Sequence, residues 1–207
     1  MNLKLKICGL TNAADVQAAI DAGADYIGFV LYPLSPRFVS PAKARELIKK
    51  VPRKIKKVGV FVDSPPNQIV ELMEFCGFNI AQLHGEESAG DALEIGSERV
   101  WKAMALNTAE DIELAAKFPA AAILADSIGP AQRGGTGKKC DWTRAAEAAG
   151  RFKLILAGGI NPENIADAVK SVKPFAVDVC SGVEASKGIK DHRKILELAA
   201  KLRSIKK

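Results

Sequence analysis

Short apolar, β-rich runs alternate with amphipathic helical patterns along the whole chain. Eight runs of the first kind cover residues 3–7, 25–31, 56–62, 79–83, 99–104, 121–125, 153–157 and 175–179. Eight helical patterns follow them, at residues 13–22, 41–50, 67–76, 87–95, 109–117, 142–149, 162–172 and 191–202. Strands that alternate with helices form a parallel sheet covered by helices, and eight such units can close into a barrel without an exposed sheet edge. We therefore predict an α/β chain with a single domain, a (β/α)8 TIM barrel over residues 1–207.

Capping residues support the predicted helix boundaries. Ser40 and Asn161 each place an N-cap oxygen directly ahead of a proline, which is well tolerated at the first helical position. Thr11 or Asn12 can cap the first helix in the same way. Four glycines that follow predicted helices can adopt the left-handed conformation that ends a helix: Gly23, Gly77, Gly96 and Gly150.

An open doubly wound sheet is the main alternative to the barrel. Such a sheet usually carries a GxGxxG phosphate loop after its first strand. The turn after the first predicted strand reads Cys8-Gly9-Leu10-Thr11 and lacks this pattern. Glycine-rich turns follow predicted strands seven and eight instead, where many barrels bind phosphate. The barrel is therefore favoured.

The composition limits the classes of function. Four cysteines lie far apart without a CxxC pair, as is typical of reduced thiols in a cytoplasmic protein. No segment approaches the ~20 uninterrupted apolar residues of a membrane helix, and the N-terminus does not read as a secretory signal. The net charge of +6 is spread along a chain with few aromatic residues, which argues against nucleic-acid binding. We expect a cytoplasmic protein that acts on a small molecule.

Three reactive side chains end predicted strands: Cys8, His84 and Asp126. The carboxyl ends of all barrel strands form one mouth, where barrel enzymes hold their active sites. Lys6 shares a strand face with Cys8, and its ammonium group would lower the pKa of the thiol. A partly dry mouth would raise the pKa of Asp126 toward that of a general acid. A buried free cysteine and a turn-forming aspartate are the structural alternatives.

Two turns after predicted strands suit an anionic ligand. Gly158-Gly159 and Ser181-Gly182 let the backbone approach a phosphate and point its amides toward it, and a predicted helical turn at residues 184–186 would add its dipole. Two ordinary tight turns are the alternative. Because both turns occur at the strands where barrels hold phosphate, phosphate binding is the favoured interpretation.

Three further residues are candidates for substrate binding. Arg37 lies in a proline-restricted loop after the second strand and offers a planar fork for a carboxylate. Gly135 lies in a glycine-rich loop that could close over a ligand, and Asp178 shares a strand face with Cys180 and could line the mouth. A solvated arginine and a flexible surface loop are the alternatives.

The motifs taken in order resemble one known family, phosphoribosylanthranilate isomerase. They are Lys6-Ile7-Cys8-Gly9, Ser35-Pro36-Arg37, Gln82-Leu83-His84-Gly85, Asp126-Ser127 with Gly134-Gly135-Thr136-Gly137, Gly158-Gly159-Ile160 and Ser181-Gly182-Val183-Glu184. The similarity covers essentially the whole chain. Two positions depart from the family pattern: Cys140 stands where an aromatic residue is common, and Cys180 stands where a serine is common.

The resemblance implies an Amadori rearrangement, in which N-(5'-phosphoribosyl)anthranilate becomes 1-(o-carboxyphenylamino)-1-deoxyribulose 5-phosphate in tryptophan biosynthesis. Asp126 would be the general acid, and Cys8 the base that takes the C2 proton. Arg37 would hold the anthranilate carboxylate. The remaining substrate-binding set would be His84, Gly135, Gly158, Gly159, Asp178, Ser181 and Gly182. The reaction requires no cofactor or metal, its partner is a substrate with a phosphate and a carboxylate, and monomer and homodimer both stay open.

Other barrels that bind sugar phosphates remain alternatives. A metal-dependent ribulose-phosphate epimerase would need several histidines in the mouth, but the chain contains only His84 and His192, and His192 falls in the last predicted helix. The histidine-pathway isomerase would use two aspartates, whereas the first strand here ends in Cys8. A noncatalytic barrel would bind a phosphate ligand tightly without turnover.

Overall fold

The computed structural model of the chain describes residues 3–126 and 141–205. These residues form a closed barrel in which each parallel strand pairs with the next and the eighth pairs with the first. The barrel strands are β1 Lys4–Ile7, β2 Tyr26–Val30, β3 Lys56–Phe61, β4 Ile80–Leu83, β5 Val100–Met104, β6 Ala122–Ala125, β7 Leu154–Leu156 and β8 Ala176–Val179. The predicted (β/α)8 barrel is confirmed.

Eight helices surround the barrel within the described ranges. They are α1 Ala13–Asp21, α2 Pro41–Ile48, α3 Pro66–Cys76, α4 Ala89–Ile95, α5 Ala109–Lys117, α6 Trp142–Ala149, α7 Ile165–Val172 and α8 His192–Ile205. As predicted, Ser40 caps α2, where its side chain accepts from the amide of Lys43, and of the two candidates for α1 it is Asn12 that caps. In the part of the chain described, no helix has both the length and the apolar character needed to cross a bilayer.

The predicted start of α7 and one predicted helix stop are wrong. Asn161 accepts from the amides of Glu163 and Asn164, while the Asn164 side chain donates to the carbonyl of Gly159, so these residues form a separate turn and α7 begins at Ile165. Gly150 has a φ of −75°, which is right-handed, because the chain after α6 continues with helix-like hydrogen bonds. The other three glycines have positive φ, as predicted.

The core has two layers, one between the sheet and the helices and one inside the barrel. Residues of the inner layer alternate along their strands, and they are Val58, Trp101, Ala103, Ala122, Leu124, Ile155, Ala157 and Ala176. The same alternation continues past the strand ends into the mouth. Cys8, His84, Asp126 and Cys180 each lie two residues beyond an inward-facing position, so all four point inward.

A small hairpin packs against the loops that follow β1 and β2. Strand β9, Glu184–Ser186, pairs antiparallel with β10, Ile189–Lys190, and Gly188 between them has a φ of +82°. The helical turn predicted at residues 184–186 is therefore wrong. The backbone of Glu184 is extended, and its carboxylate is held by Arg37 and Lys190, two residues that local sequence patterns do not bring together.

Candidate active site

A cavity of about 370 Å³ opens at the carboxyl ends of the barrel strands, a size typical of small-molecule sites. Every predicted site residue within the described ranges lines this cavity: Cys8, Arg37, His84, Asp126, Gly158, Gly159, Asp178, Ser181 and Gly182. Gly135 lies outside the described residues. The barrel thus brings together residues from the first to the last strand.

Lys6 is a fully buried cation that contacts two of the residues lining the cavity. Its Nζ lies 2.8 Å from Oδ2 of Asp178 and 2.8 Å from Oε1 of Gln82. Burial opposes the charge, yet Asp178 and the Cys8 thiol hold the pKa of Lys6 above its ordinary value. Oδ1 of Asp178 is buried and has no hydrogen-bond partner among the described residues, so a ligand hydroxyl in the cavity could donate to it.

Gln82 and His84 carry this network toward Asp126. Because Oε1 of Gln82 accepts from Lys6, its amide nitrogen is the atom that faces His84 Nδ1, at 2.9 Å. Nδ1 then accepts, so a neutral His84 carries its proton on Nε2. This nitrogen lies 3.3 Å from Oδ2 of Asp126. The buried network therefore selects the tautomer that supports the Asp126 carboxylate once it has given up a proton.

The pKa of Cys8 moves opposite to the sequence-based prediction. Lys6 does act to lower the pKa of this thiol, but a hydrogen bond to Cys180 and burial raise it well above its ordinary value. The prediction failed because it considered only neighbours along β1. Cys180, which ends the adjacent strand β8, is the missing partner.

Arg37 lines the cavity and forms an ion pair with Glu184. Its Nε and Nη2 each lie 2.8 Å from a carboxylate oxygen of Glu184, and this bond raises the pKa of Arg37. Lys190, whose side chain is fully buried, lies 3.0 Å from the same carboxylate. A guanidinium has five N–H donors, so the N–H groups of Arg37 that do not face Glu184 can donate to a second carboxylate. Glu184 holds the fork in place for such a ligand.

The two glycine-rich turns pack directly against each other. Gly158 and Gly159 have φ of +78° and +69°, which other residues rarely adopt. A Cβ on Gly182 would overlap the backbone carbonyl of Ile160. Only glycine at residue 182 lets the two turns meet, and together they line one end of the cavity.

We predict that Gly182→Ala lowers the free energy of unfolding by about 1–3 kcal/mol, because the added methyl group forces a backbone carbonyl to move. The value is measured by urea denaturation. Gly90→Ala is the matched control, since a Cβ there meets only the Ser88 hydroxyl at 3.4 Å. Equal stability of the two variants would show that the turns can separate without cost.

Sequence reasoning did not assign roles to three residues of the site, Gln82, Glu184 and Lys190. Gln82 could have been found, because it alternates with His84 on the predicted fourth strand and so shares its inward face. Glu184 and Lys190 depend on the β9–β10 hairpin, for which no signal was recognised.

Comparison with known proteins identifies the family. The family model for N-(5'-phosphoribosyl)anthranilate isomerase matches residues 5–201. A protein of that name from Citrifermentans bemidjiense is 41% identical over 202 residues, which cover 98% of each chain. This chain belongs to the phosphoribosylanthranilate isomerase family. The resemblance drawn from the sequence motifs is confirmed.

Solved structures of phosphoribosylanthranilate isomerases share the fold. One, in complex with reduced 1-(o-carboxyphenylamino)-1-deoxyribulose 5-phosphate, is 37% identical with a TM-score of 0.87 and covers 98% of this chain and 99% of its own. Another, of monomers made from the dimeric Thermotoga maritima enzyme, is 38% identical with a TM-score of 0.87 over the same shares of the chains. This chain therefore shares its closed barrel with solved members of the family.

Proposed function

We propose that this protein converts N-(5'-phosphoribosyl)anthranilate to 1-(o-carboxyphenylamino)-1-deoxyribulose 5-phosphate by general acid/base catalysis. The observation that carries the proposal is that Cys8 and Asp126, from strands β1 and β6, line one cavity in a chain of this family. The reaction needs one group that begins protonated and one that can accept a proton. A carboxyl and a thiol can fill these two roles.

The substrate would be held at both ends. Its phosphate would meet the backbone amides of the Gly158-Gly159 and Ser181-Gly182 turns, and its anthranilate carboxylate would meet Arg37. His84 and Asp178 also line the cavity and can contact the ribose between these ends. Gly135 belongs to the same proposal on sequence grounds only. Holding both ends brings the ribose to the acid and the base, which removes much of the entropic cost of the reaction.

Ring opening would begin at Asp126. The carboxyl group gives its proton to the furanose ring oxygen as the C1–O bond breaks, and the nitrogen lone pair forms the C1=N iminium. Asp126 is left as a carboxylate. His84 Nε2, 3.3 Å from Oδ2, can then donate a hydrogen bond to it and stabilise this product of the first step.

Proton removal from C2 would complete the rearrangement. The iminium withdraws electrons from C2 and makes its proton acidic, and Cys8 accepts that proton as the C1=C2 double bond of the enolamine forms. The enolamine then tautomerises to the ketone. These steps pass protons between the substrate and the two side chains, and the rearrangement leaves no net oxidation.

We predict that Arg37→Ala raises KM with a smaller effect on kcat, because the lost contact binds substrate and transition state alike. Arg37→Lys is the matched control, since it keeps the charge but loses the fork that Glu184 and the ligand share. Steady-state kinetics over a range of substrate concentrations measure both. An unchanged KM in the alanine variant would move the carboxylate contact elsewhere.

The direct test follows the loss of substrate fluorescence when purified protein meets phosphoribosylanthranilate in the presence of a chelator. We expect turnover with the product as the only new compound. Tight binding without turnover would support the noncatalytic barrel, and turnover abolished by the chelator would point to a metal. We also propose that the enzyme is cytoplasmic and is either a monomer or a homodimer. Sedimentation of the purified protein distinguishes these two oligomeric states.

A further inference from the structure

Cys8 and Cys180 end adjacent strands in matched register. Ile7 pairs with Val179 between β1 and β8, and the amide of Cys8 donates to the carbonyl of Val179 at 2.9 Å. The two cysteines are the next pair along, on strands that lie about 4.8 Å apart. Both side chains line the cavity. An added Cβ on Gly9 would lie only 2.9 Å from the Cys180 sulfur, so this thiol packs against the residue that follows Cys8.

The charges around the two thiols are unbalanced. Among residues 3–126 and 141–205, five charged side chains act on the pair, and they are Lys6 on β1, Arg37 after β2, Asp178 on β8, Glu184 on β9 and Lys190 on β10. Three cations and two carboxylates leave one positive charge. Lys190 Nζ lies 3.8 Å from the Cys180 sulfur and 3.1 Å from its carbonyl oxygen. A single thiolate in the pair would neutralise the excess. The charges of Lys190 and Arg37 favour that thiolate at Cys180, while Oε1 of Glu184, 4.0 Å from the same sulfur, opposes it.

The pKa values agree with this assignment of the charge. A hydrogen bond from the Cys8 thiol, together with the nearby charges of Lys190 and Arg37, outweighs burial and lowers the pKa of Cys180 to about 7. The same hydrogen bond and burial raise the pKa of Cys8. The directions of both shifts favour Cys180 as the thiol of the pair that loses its proton first.

We propose that Cys8 and Cys180 act as one base, in which Cys180 carries the negative charge at rest and takes the proton of Cys8 when Cys8 takes the C2 proton of the substrate. The C2–H bond breaks and its electron pair forms the C1=C2 bond. A new S–H bond forms at Cys8, while the old one breaks and its proton bonds to Cys180. The positive iminium and the thiolate become a neutral enolamine and two neutral thiols, so charge and protons balance. Cys180 acts through Cys8 and is a positioning residue.

This inference rests on the proposed function, and the pH dependence of kcat/KM tests it. We expect the acidic limb of the wild-type profile near pH 7, where the free thiol pair loses its first proton. In Cys180→Ser only Cys8 can ionise, so the limb should move up by about one to two pH units, to the ordinary thiol range or above it. At pH 7 this shift corresponds to a loss of about five- to fifty-fold in kcat/KM, since half of the wild-type pair is ionised there.

Cys76→Ser is the matched control for the kinetic test. Its thiol is also buried, on α3, and donates to the carbonyl of Pro41 at 3.4 Å, and Cys76 is not among the residues that line the cavity. The limb should stay in place in this variant. A limb that also stays in place in Cys180→Ser and Cys180→Ala, whatever the rate, would overturn the two-thiol base, because a packing role lowers activity without moving the pH dependence.

A titration that needs no activity separates this proposal from the function on which it rests. In a Cys76→Ser, Cys140→Ser background, the ultraviolet absorbance of thiolate should rise with a midpoint near pH 7. The midpoint should move to higher pH in Cys8→Ala, which loses the hydrogen-bond donor, and the transition should vanish from neutral pH in Cys180→Ala. If the protein shows this titration but has no isomerase activity, the thiol pair is supported and the proposed function is wrong. If the protein is active but forms no thiolate near neutral pH, the proposed function is supported and the two-thiol base is wrong.

Discussion

Asp126→Asn is expected to lower kcat by at least about 100-fold while the barrel stays folded, because an amide cannot give a proton to the ring oxygen. The side chain keeps its shape, and its carbonyl oxygen stays close to His84, whose Nε2 lies 3.3 Å from Oδ2 of the carboxylate in the native site. The loss should therefore appear in the rate and not in stability. Steady-state kinetics and far-ultraviolet circular dichroism measure the two quantities.

The control for this variant is Asp25→Asn, which removes a carboxylate from the opposite end of the barrel. Asp25 pairs with Lys4 at 2.8 Å, and both side chains are partly exposed, so the change should cost little stability and leave kcat unchanged. A near-native rate for Asp126→Asn would assign ring opening to another acid. His84 would then be the first residue to test, because it lines the same cavity.

Cys8→Ser should also lower kcat by at least about 100-fold, since a hydroxyl group is a far weaker acid than a thiol and is not ionised at the pH of the assay. Serine fits the site, because it is no larger than cysteine, and Gly28 allows the close approach of this side chain. Cys76→Ser again serves as the matched control, and its kcat should not change. Kinetics at saturating substrate concentration give the comparison.

Retention of the native rate in Cys8→Ser would place the base elsewhere. Cys180 could then remove the C2 proton directly, and the double variant Cys8→Ser, Cys180→Ser would lose the activity that the single variant kept. We expect instead that the single variant is already inactive, because in the proposed base Cys180 receives its proton only from Cys8. The two outcomes differ by at least about 100-fold in kcat.

The buried ion pair beneath the thiols illustrates why a local interpretation of the site was incomplete. Lys6 shares its strand face with Cys8, and from that proximity alone a lowered thiol pKa follows. In the barrel, however, the positive charge of Lys6 is compensated by Asp178, which lies 172 positions away in the chain. The cation that would have activated Cys8 is largely neutralised. The hydrogen bond between the two thiols and their burial then raise the pKa of Cys8, while the same bond and the charges of Lys190 and Arg37 lower the pKa of Cys180.

The sequence by itself determined the repeating unit and the position of the mouth. The period of its apolar residues predicts eight strands and eight helices, and the bounds in the structure differ from the predicted ones by only a few residues at most ends. The place of Cys8, His84 and Asp126 at the ends of predicted strands then predicts that they lie at the mouth. These inferences succeed because they depend only on residues two to four positions apart, whose geometry the strand or helix fixes.

Only the tertiary structure decided which side chains meet in the mouth. Closure of β8 on β1 brings Cys180 to Cys8 and Asp178 to Lys6, and the β9–β10 hairpin brings Glu184 and Lys190 to Arg37. Hydrogen bonds and charges act over a few ångströms whatever the separation in sequence, and they set the pKa values and the tautomer of the site. These short distances arise when the barrel closes, and they cannot be predicted from patterns within single strands and helices.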